Sequence, residues 1–359
     1  MHIPDGYLSL QTSLPAFGIM APIWSVAIRK IKKMFSLRQI PLLSLCAAFS
    51  FIIMMFNVPL GISSVHAVGS VFIAILIGPW AACFAVTIAL VIQAFVFADG
   101  GALTVGVNCF NMAFAMPFAG YYVYKLLAGK HGILTKRGAF GAFMGGYIGI
   151  NVAALLTAIE VGIQPIIFKT ADGLPQFSFY PLSVAIPALM GEHLFIAGPI
   201  EGIITISALA YLAKYSPQMF DVINNYKRKA SKEDFQGNNS LLIGKNKETF
   251  FLRYKSFVIG LLVLAGLTPL GLIATGTAWG EWSIDQIKKM KGFVPSGMER
   301  LSNIWSSIFQ DYSIPGLNKG FLQSSTGYII SAVVGIFLIV AVTFISSRFI
   351  SKKEDNEEK

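Results

Sequence analysis

The chain opens Met1-His2-Ile3-Pro4-Asp5-Gly6, and only four histidines occur in its 359 residues. A histidine directly behind the initiator methionine puts three nitrogens within two residues: the α-amine, the next backbone amide and the imidazole Nδ1. Together they can close a five-membered and a six-membered chelate ring on one metal ion. With the amide deprotonated the field is strong and planar, which suits square-planar Ni(II) or Cu(II), and also Co(II), better than the tetrahedral preference of zinc. A bulky second residue is a poor substrate for methionine removal, so Met1 is expected to persist. A fourth nitrogen is required, and His66 in GISSVHAVGS, flanked by small residues, is the candidate. Taken singly, either histidine is as well explained by chance or by interfacial hydrogen bonding. Together, on one membrane face, they suggest a ligand pair. The other two fit less well: His131 lies in a basic loop, and His193 sits beside Glu192 in LMGEHLFIAGPIEG.

Such ligands need an element that carries them and a body that receives them. Pro4 removes an amide donor and biases Ile3 towards extended geometry, while Asp5-Gly6 has the composition of a turn. The opening is therefore a short stiff arm, able to fold back into the mouth of a helical bundle. Binding by amine, amide and imidazoles must release protons. Free amines and imidazoles titrate near ~8 and ~6.5, so acid is expected to compete steeply with metal.

The receiving body is a membrane protein by composition. Hydrophobic residues make up 55% of the chain, charged residues 13%, and mean hydropathy is +0.65, far from soluble globular usage. A formal charge of +10 would also suit a nucleic-acid binder, but most of the lysines and arginines cluster at the ends of apolar runs. These clusters are RKIKK (29 to 33), KLLAGKHGILTKR (125 to 137), the 214 to 255 stretch and SRFISKK (347 to 353). That distribution follows the positive-inside rule. Cys46, Cys83 and Cys109 lie in or beside apolar runs without CxxC spacing, which predicts lipid-facing or packing residues and no disulfide framework or metal cage. The first apolar run has no basic residues before it and several directly after it, the reverse of a signal peptide. This places the amino terminus outside.

Apolar segments fall at about 12–28, 40–56, 79–97, 105–127, 138–163, 183–213, 255–275 and 326–349, with a shorter one near 67–77. The expected fold is an all-α polytopic membrane protein of about nine transmembrane helices. Every basic cluster is then cytoplasmic, while the arm, the His66 loop, ADGG and 276–325 are external. The polar stretch 214–254 has the composition of a cytoplasmic linker. It divides the chain into a seven-helix unit, 1–213, and a carboxyl-terminal unit of two helices, 255–359, joined by the external segment 276–325. Glycines 138, 141, 145 and 149 recur at helical spacing and predict a close helix approach, within the chain or with a partner.

Three function classes stay open on these grounds: a metal-uptake component, a membrane-embedded enzyme and a metal sensor without transport. Asp99, Glu160, Glu192 and Glu201 sit in or beside apolar runs, but no HExxH, GxSxG or paired intramembrane aspartates accompany them, which disfavours the enzyme. GxxxxGK[ST] does not occur, so any ATP hydrolysis is expected from other chains.

MHIPDGYLS, SSVHAVG, FADGGALTVGVNCFNMAFAMPFAG and HLFIAGPIEGIIT resemble the CbiM/NikM family, the substrate-binding (S) components of energy-coupling factor (ECF) transporters for cobalt and nickel. The similarity spans about 1–213. It implies a seven-helix bundle with the amino terminus outside, in a bacterial or archaeal cell membrane. It further implies metal ligation by the Met1 amine, the His2 amide and imidazole, and His66. Asn108 and Asn111 match the family's asparagine motif and are expected to hold the arm or the ligands. The unit 255–359 resembles the small partner subunit of the CbiN/NikN type, fused in cis. PSGMER (295 to 300) is similar to that group's PDGLE motif, with Ser296 for Asp and Met298 for Leu, and GTAWGEW (276 to 282) recurs in such fused chains. The implied partners are a transmembrane coupling (T) component and two ATP-binding subunits. No cofactor is implied beyond the transported Co2+ or Ni2+, with cobalt, for cobalamin synthesis, placed narrowly ahead of nickel. If the two units are separable, deleting 255–359 should leave metal binding largely intact and cut transport.

Overall fold

The computed structural model describes residues 1–34, 40–60, 63–216, 250–274, 276–317 and 319–350. Most of the expected linker 214–254 lies outside the described residues. The fold is helical apart from a two-residue antiparallel pair, β1 (Val58–Pro59) with β2 (Ser64–Val65). Residues 1–9 form no helix, and α1 (Leu10–Met34) begins directly behind them. Then come α2 (Ile40–Met54), α3 (Ser70–Ile77) and α4 (Pro79–Ile92), the last continuing through a π-helical turn, Gln93–Phe97. α5 (Val105–Asn108) runs through a second wide turn, Cys109–Ala115, into α6 (Met116–Ala128). α7 (Lys136–Gly162) is capped by Thr135, whose hydroxyl accepts from the Gly138 N–H at 3.0 Å. α8 (Gln164–Ile167), α9 (Leu182–Glu192), a third wide turn, His193–Ala197, and α10 (Gly198–Tyr215) follow.

Among the described residues, six helical runs are long and apolar enough to cross a membrane: Leu10–Lys33, Pro79–Phe97, Lys136–Ile167, Leu182–Tyr215, Tyr254–Ile273 and Phe321–Ser346. Ile40–Met54 is a shorter apolar helix. The molecule is a multi-pass membrane protein, and a count of nine would add α2, α3 and the run 105–128 to these six. The segment expected near 67–77 is only partly helical. All eight residues of α3 are buried, yet it rises only about 12 Å against a hydrocarbon core of about 30 Å. The residues leading into it, 63–69, are buried but not helical. Buried irregular backbone survives where protein supplies its hydrogen bonds. Here the Glu201 carboxylate accepts from Val68 N at 2.8 Å and Gly69 N at 3.0 Å, and Ser50 Oγ donates to Val68 O at 2.8 Å.

The glycine stripe of α7 lies against α6 of the same chain. A Cβ on Gly145 would meet Gly120 O at 2.7 Å, and one on Gly149 would meet Met116 O at 2.9 Å. The three cysteines are free and buried, so they pack within the protein and do not face lipid.

The carboxyl-terminal helices α11 (Phe250–Leu267) and α14 (Phe321–Ile350) flank a structured segment with α12 (Ile284–Lys291) and α13 (Ser296–Leu301). Ser283 and Gln286 form a reciprocal capping box at the start of α12. Asp285 in its first turn and Lys288, Lys289 and Lys291 in its last complement the helix dipole. α14 packs on α2, with Tyr328 Oη donating to Met55 O at 3.2 Å.

Candidate metal site

The arm is fixed by its backbone. Ile3 N–H donates to Asn108 Oδ1 at 2.9 Å, and Ile3 O accepts from Gly101 N at 3.0 Å, Asn108 Nδ2 at 3.2 Å and Thr104 Oγ1. Asn108 thus grips Ile3 as a neighbouring strand would, which is what an asparagine on an apolar helix offers and an alanine cannot. Asp5 anchors the turn by accepting from Ala102 N at 2.9 Å and Leu103 N at 2.8 Å. Burial raises the Asp5 carboxyl above its usual range, while the Leu103, Ala102 and Thr104 amides pull it back. The glycines of ADGG serve this approach. A Cβ on Gly101 would lie 2.1 Å from Asp5 Oδ1, and one on Gly6, which stands at φ +90°, would lie 2.7 Å from Met298 O.

This clamp carries Met1 and His2 into a buried pocket beside His66. Met1 is 5%, His2 2% and His66 7% exposed, and the two imidazole centroids lie 5.0 Å apart in an edge-on arrangement. His66 Nδ1 faces Ala67 O at 3.1 Å; a carbonyl only accepts, so Nδ1 carries the proton and Nε2 keeps its lone pair. Burial first, then the charges of the amine and His2, push the His66 pKa down to about 3. His66 therefore stays neutral at physiological pH, as a ligand requires. Its loop owes its position to Glu201, through the Val68 and Gly69 amides.

Two carboxylates complete the pocket. The Met1 amine donates to Glu281 Oε1 at 2.9 Å, and His2 Nδ1 donates to Asp99 Oδ1. Asp99 also accepts from Gln93 Nε2 at 3.0 Å and from Tyr312 Oη. Burial alone would raise its pKa, but the charge and hydrogen bond of His2 hold it below the usual carboxylate range. His2 Nε2 is buried with no hydrogen-bond partner. For His2 Nδ1 to chelate alongside the amine, its proton has to leave and the hydrogen bond to Asp99 has to break, because proton and metal claim the same lone pair.

The structure thus brings together Met1, His2 and His66, with Asn108 holding the arm. Asn111 turns elsewhere: its Nδ2 donates to Glu160 Oε2 at 2.6 Å and Thr157 Oγ1 at 3.2 Å on α7. Asn111 lies three residues beyond Asn108, inside the wide turn Cys109–Ala115. His131 is exposed in the turn between α6 and α7, and His193 bonds back to Leu189 O of its own helix at 2.8 Å. Among the described residues, no three His, Cys, Asp or Glu side chains are grouped to hold a metal.

Asp99, Glu201, Gln93 and Glu281 are the pocket residues that motif reading left without a role. Buried carboxylates beside apolar runs were the available signal for the first two. Glu281 stood in the GTAWGEW stretch, but nothing local tied it to the arm, because its partner lies 280 positions away.

This multi-pass helical protein gathers an amine, two imidazoles and two carboxylates in one buried pocket. Residues 2–219 match the family described as cobalt uptake substrate-specific transmembrane region, CbiM, and residues 255–352 match the PDGLE domain. The chain belongs to the CbiM family, with a PDGLE domain fused behind it. It is 38% identical to the fused nickel transport protein NikMN of Rhodobacter capsulatus over 95% of both chains. It is 37% identical to the probable fused nickel transport protein LarMN of Lactiplantibacillus plantarum, again over 95% of each. Among solved structures, a truncated transition metal transporter shares 46% identity at a TM-score of 0.57, covering 60% of this chain and 99% of that one. A second transition metal transporter shares 44% at 0.58, covering 64% and 100%.

Proposed function

We propose that this chain is the substrate-capture membrane component of an ECF importer for nickel or cobalt. Its metal is held by the Met1 amine, the His2 amide and imidazole, and His66. The observation that carries this reading is the convergence of Met1, His2 and His66 in one buried pocket, on an arm clamped by Asn108 and Asp5. The arm orients the donors, burial keeps His66 neutral, and Asp99 accepts the hydrogen bond of the His2 Nδ1–H when Nδ1 is not ligating. Transport is driven by a T component and two ATP-binding subunits. The chain divides into the capture unit 1–213, a cytoplasmic linker 214–254 and a CbiN/NikN-like unit 255–359 whose segment 276–325 is external. Nickel is placed ahead of cobalt, reversing the order given by the sequence, because relatives matched over 95% of their length are named for nickel transport.

Uptake of radioactive nickel and cobalt in cells expressing the chain with its T and ATPase partners tests this reading. Uptake that depends on the ATPases and is lost in His2→Ala and His66→Ala, but kept in His131→Ala, is the expected result. Uptake unaffected by His2→Ala would refute the ligand set, and metal binding without uptake would favour a sensor.

A further inference from the structure

The partner of the amine comes from the opposite end of the chain. Met1 N lies 2.9 Å from Glu281 Oε1; the Met1 side is 1% exposed and the Glu281 side chain 21%. Glu281 is held from several sides. Its N–H donates to Ala278 O at 3.0 Å, and the next residue, Trp282, accepts from Tyr7 Oη of the arm at 2.9 Å. Trp279 and Trp282 pack on Tyr180, with ring centroids at 5.1 and 5.6 Å. The capping box at Ser283 then starts α12, whose Ile287 is buried with Ile3, Tyr7 and Leu8 of the arm. The carboxylate is thus presented to the amine by a support fastened to the arm itself.

We propose that Glu281 is a positioning residue for the metal-ligating amine, so that the metal site is incomplete without the segment 276–283. The proposal rests on the reading that the Met1 amine is a ligand. An amine that gives its lone pair to a metal keeps two N–H bonds. A carboxylate accepting from one of them fixes the direction of the lone pair and strengthens the donor, as outer carboxylates do for ligating imidazoles. A carboxylate at this distance also offsets part of the charge that a divalent cation brings into a buried pocket. The carboxyl-terminal unit then acts in metal capture itself, and its deletion weakens binding, contrary to the expectation for separable units.

The test uses the full chain with its native amino terminus, Ni2+ alone as probe, calorimetry for affinity and the Ni(II) d–d absorption band for the ligand field. Glu281→Gln keeps the side-chain shape and removes the charge. Its affinity is expected to fall by about tenfold or more, the range for outer-sphere carboxylates, with the d–d band shifted to lower energy and thermal unfolding unchanged. Glu281→Asp, one methylene shorter, is expected to fall between Gln and wild type in both readouts, and it carries the test alone if Glu281→Gln does not fold. His2→Ala separates the two readings. If it binds Ni2+ as wild type does, the nitrogen-ligand reading fails and this proposal with it. If it loses binding while Glu281→Gln or Glu281→Asp keeps wild-type affinity and an unshifted band, the role of Glu281 alone is overturned.

Discussion

At the arm pocket, side chains from the arm, α5, α10 and the segment before α12 converge on a few backbone and terminal groups. Along the seam between α6 and α7 a similarly close approach is reached by removing side chains, with Gly120, Gly145 and Gly149 presenting bare backbone to one another. The seam is held by van der Waals packing of backbone on backbone, which is local, repetitive and insensitive to chemistry. The pocket is held by hydrogen bonds and ion pairs in a buried setting, where each lost partner leaves a costly unpaired group. A change in the seam should therefore act on the whole fold, and a change in the pocket on metal binding.

The largest expected effect breaks the seam. Gly145→Val places branched carbon where Gly120 O stands 2.7 Å from a Cβ position, and two helix backbones cannot both yield. A loss of about 3 kcal/mol or more of stability is expected, seen as a large drop in thermal unfolding temperature in detergent. Protein that still folds should bind metal normally. Wild-type stability would mean that α6 and α7 are not packed this closely.

A smaller and more selective effect is expected at the two asparagines. Asn108→Ala leaves the buried Ile3 N–H without its acceptor, a penalty of about 1–3 kcal/mol, which loosens the arm and lowers metal affinity by about ten- to hundredfold. Asn111→Ala lowers stability through Glu160 and Thr157 and leaves affinity within about twofold, as for an independent site. Equal losses of affinity in both variants would show that the pocket extends to α7.

How much of this was legible beforehand differs in the same way. The glycine stripe announces itself by spacing alone, and the arm by Pro4 and Asp5-Gly6; both are local patterns. His2 and His66 were legible as a pair because chelate geometry and membrane topology each constrain them. Asp99, Glu201 and Glu281 carry no local pattern: their partners lie 97, 133 and 280 positions away. Only folding gives them a role. The short apolar stretch near α3 misled as to form, since burial by neighbouring helices allows a non-helical entry that hydropathy cannot distinguish from helix.

The smallest effect concerns acid. Sequence alone gave both imidazoles a part in proton competition, but burial and nearby positive charge push His66 down to about 3. A lowered histidine pKa keeps the neutral form, so His66 holds its lone pair from pH 7 down to pH 5 and takes up a proton only as pH approaches about 3. Protonation of His66 then contributes nothing to the pH dependence of metal affinity between pH 7 and 5. An NMR pH titration should show no shift of the His66 ring over that range, and a midpoint near ~6.5, the value of a free imidazole, would contradict the buried setting.

The central claim is that the amine of Met1 is itself a ligand, and moving that amine tests it most directly. Calorimetric titration with Ni2+ and Co2+ should compare the chain beginning at Met1, with mass spectrometry confirming that residue, against the same chain bearing one added residue ahead of it. A tag after Lys359 serves as control. The account predicts tight binding with proton release for the native terminus and for the control, and no high-affinity binding for the extended chain. An extended chain that binds as tightly as the native one would contradict it.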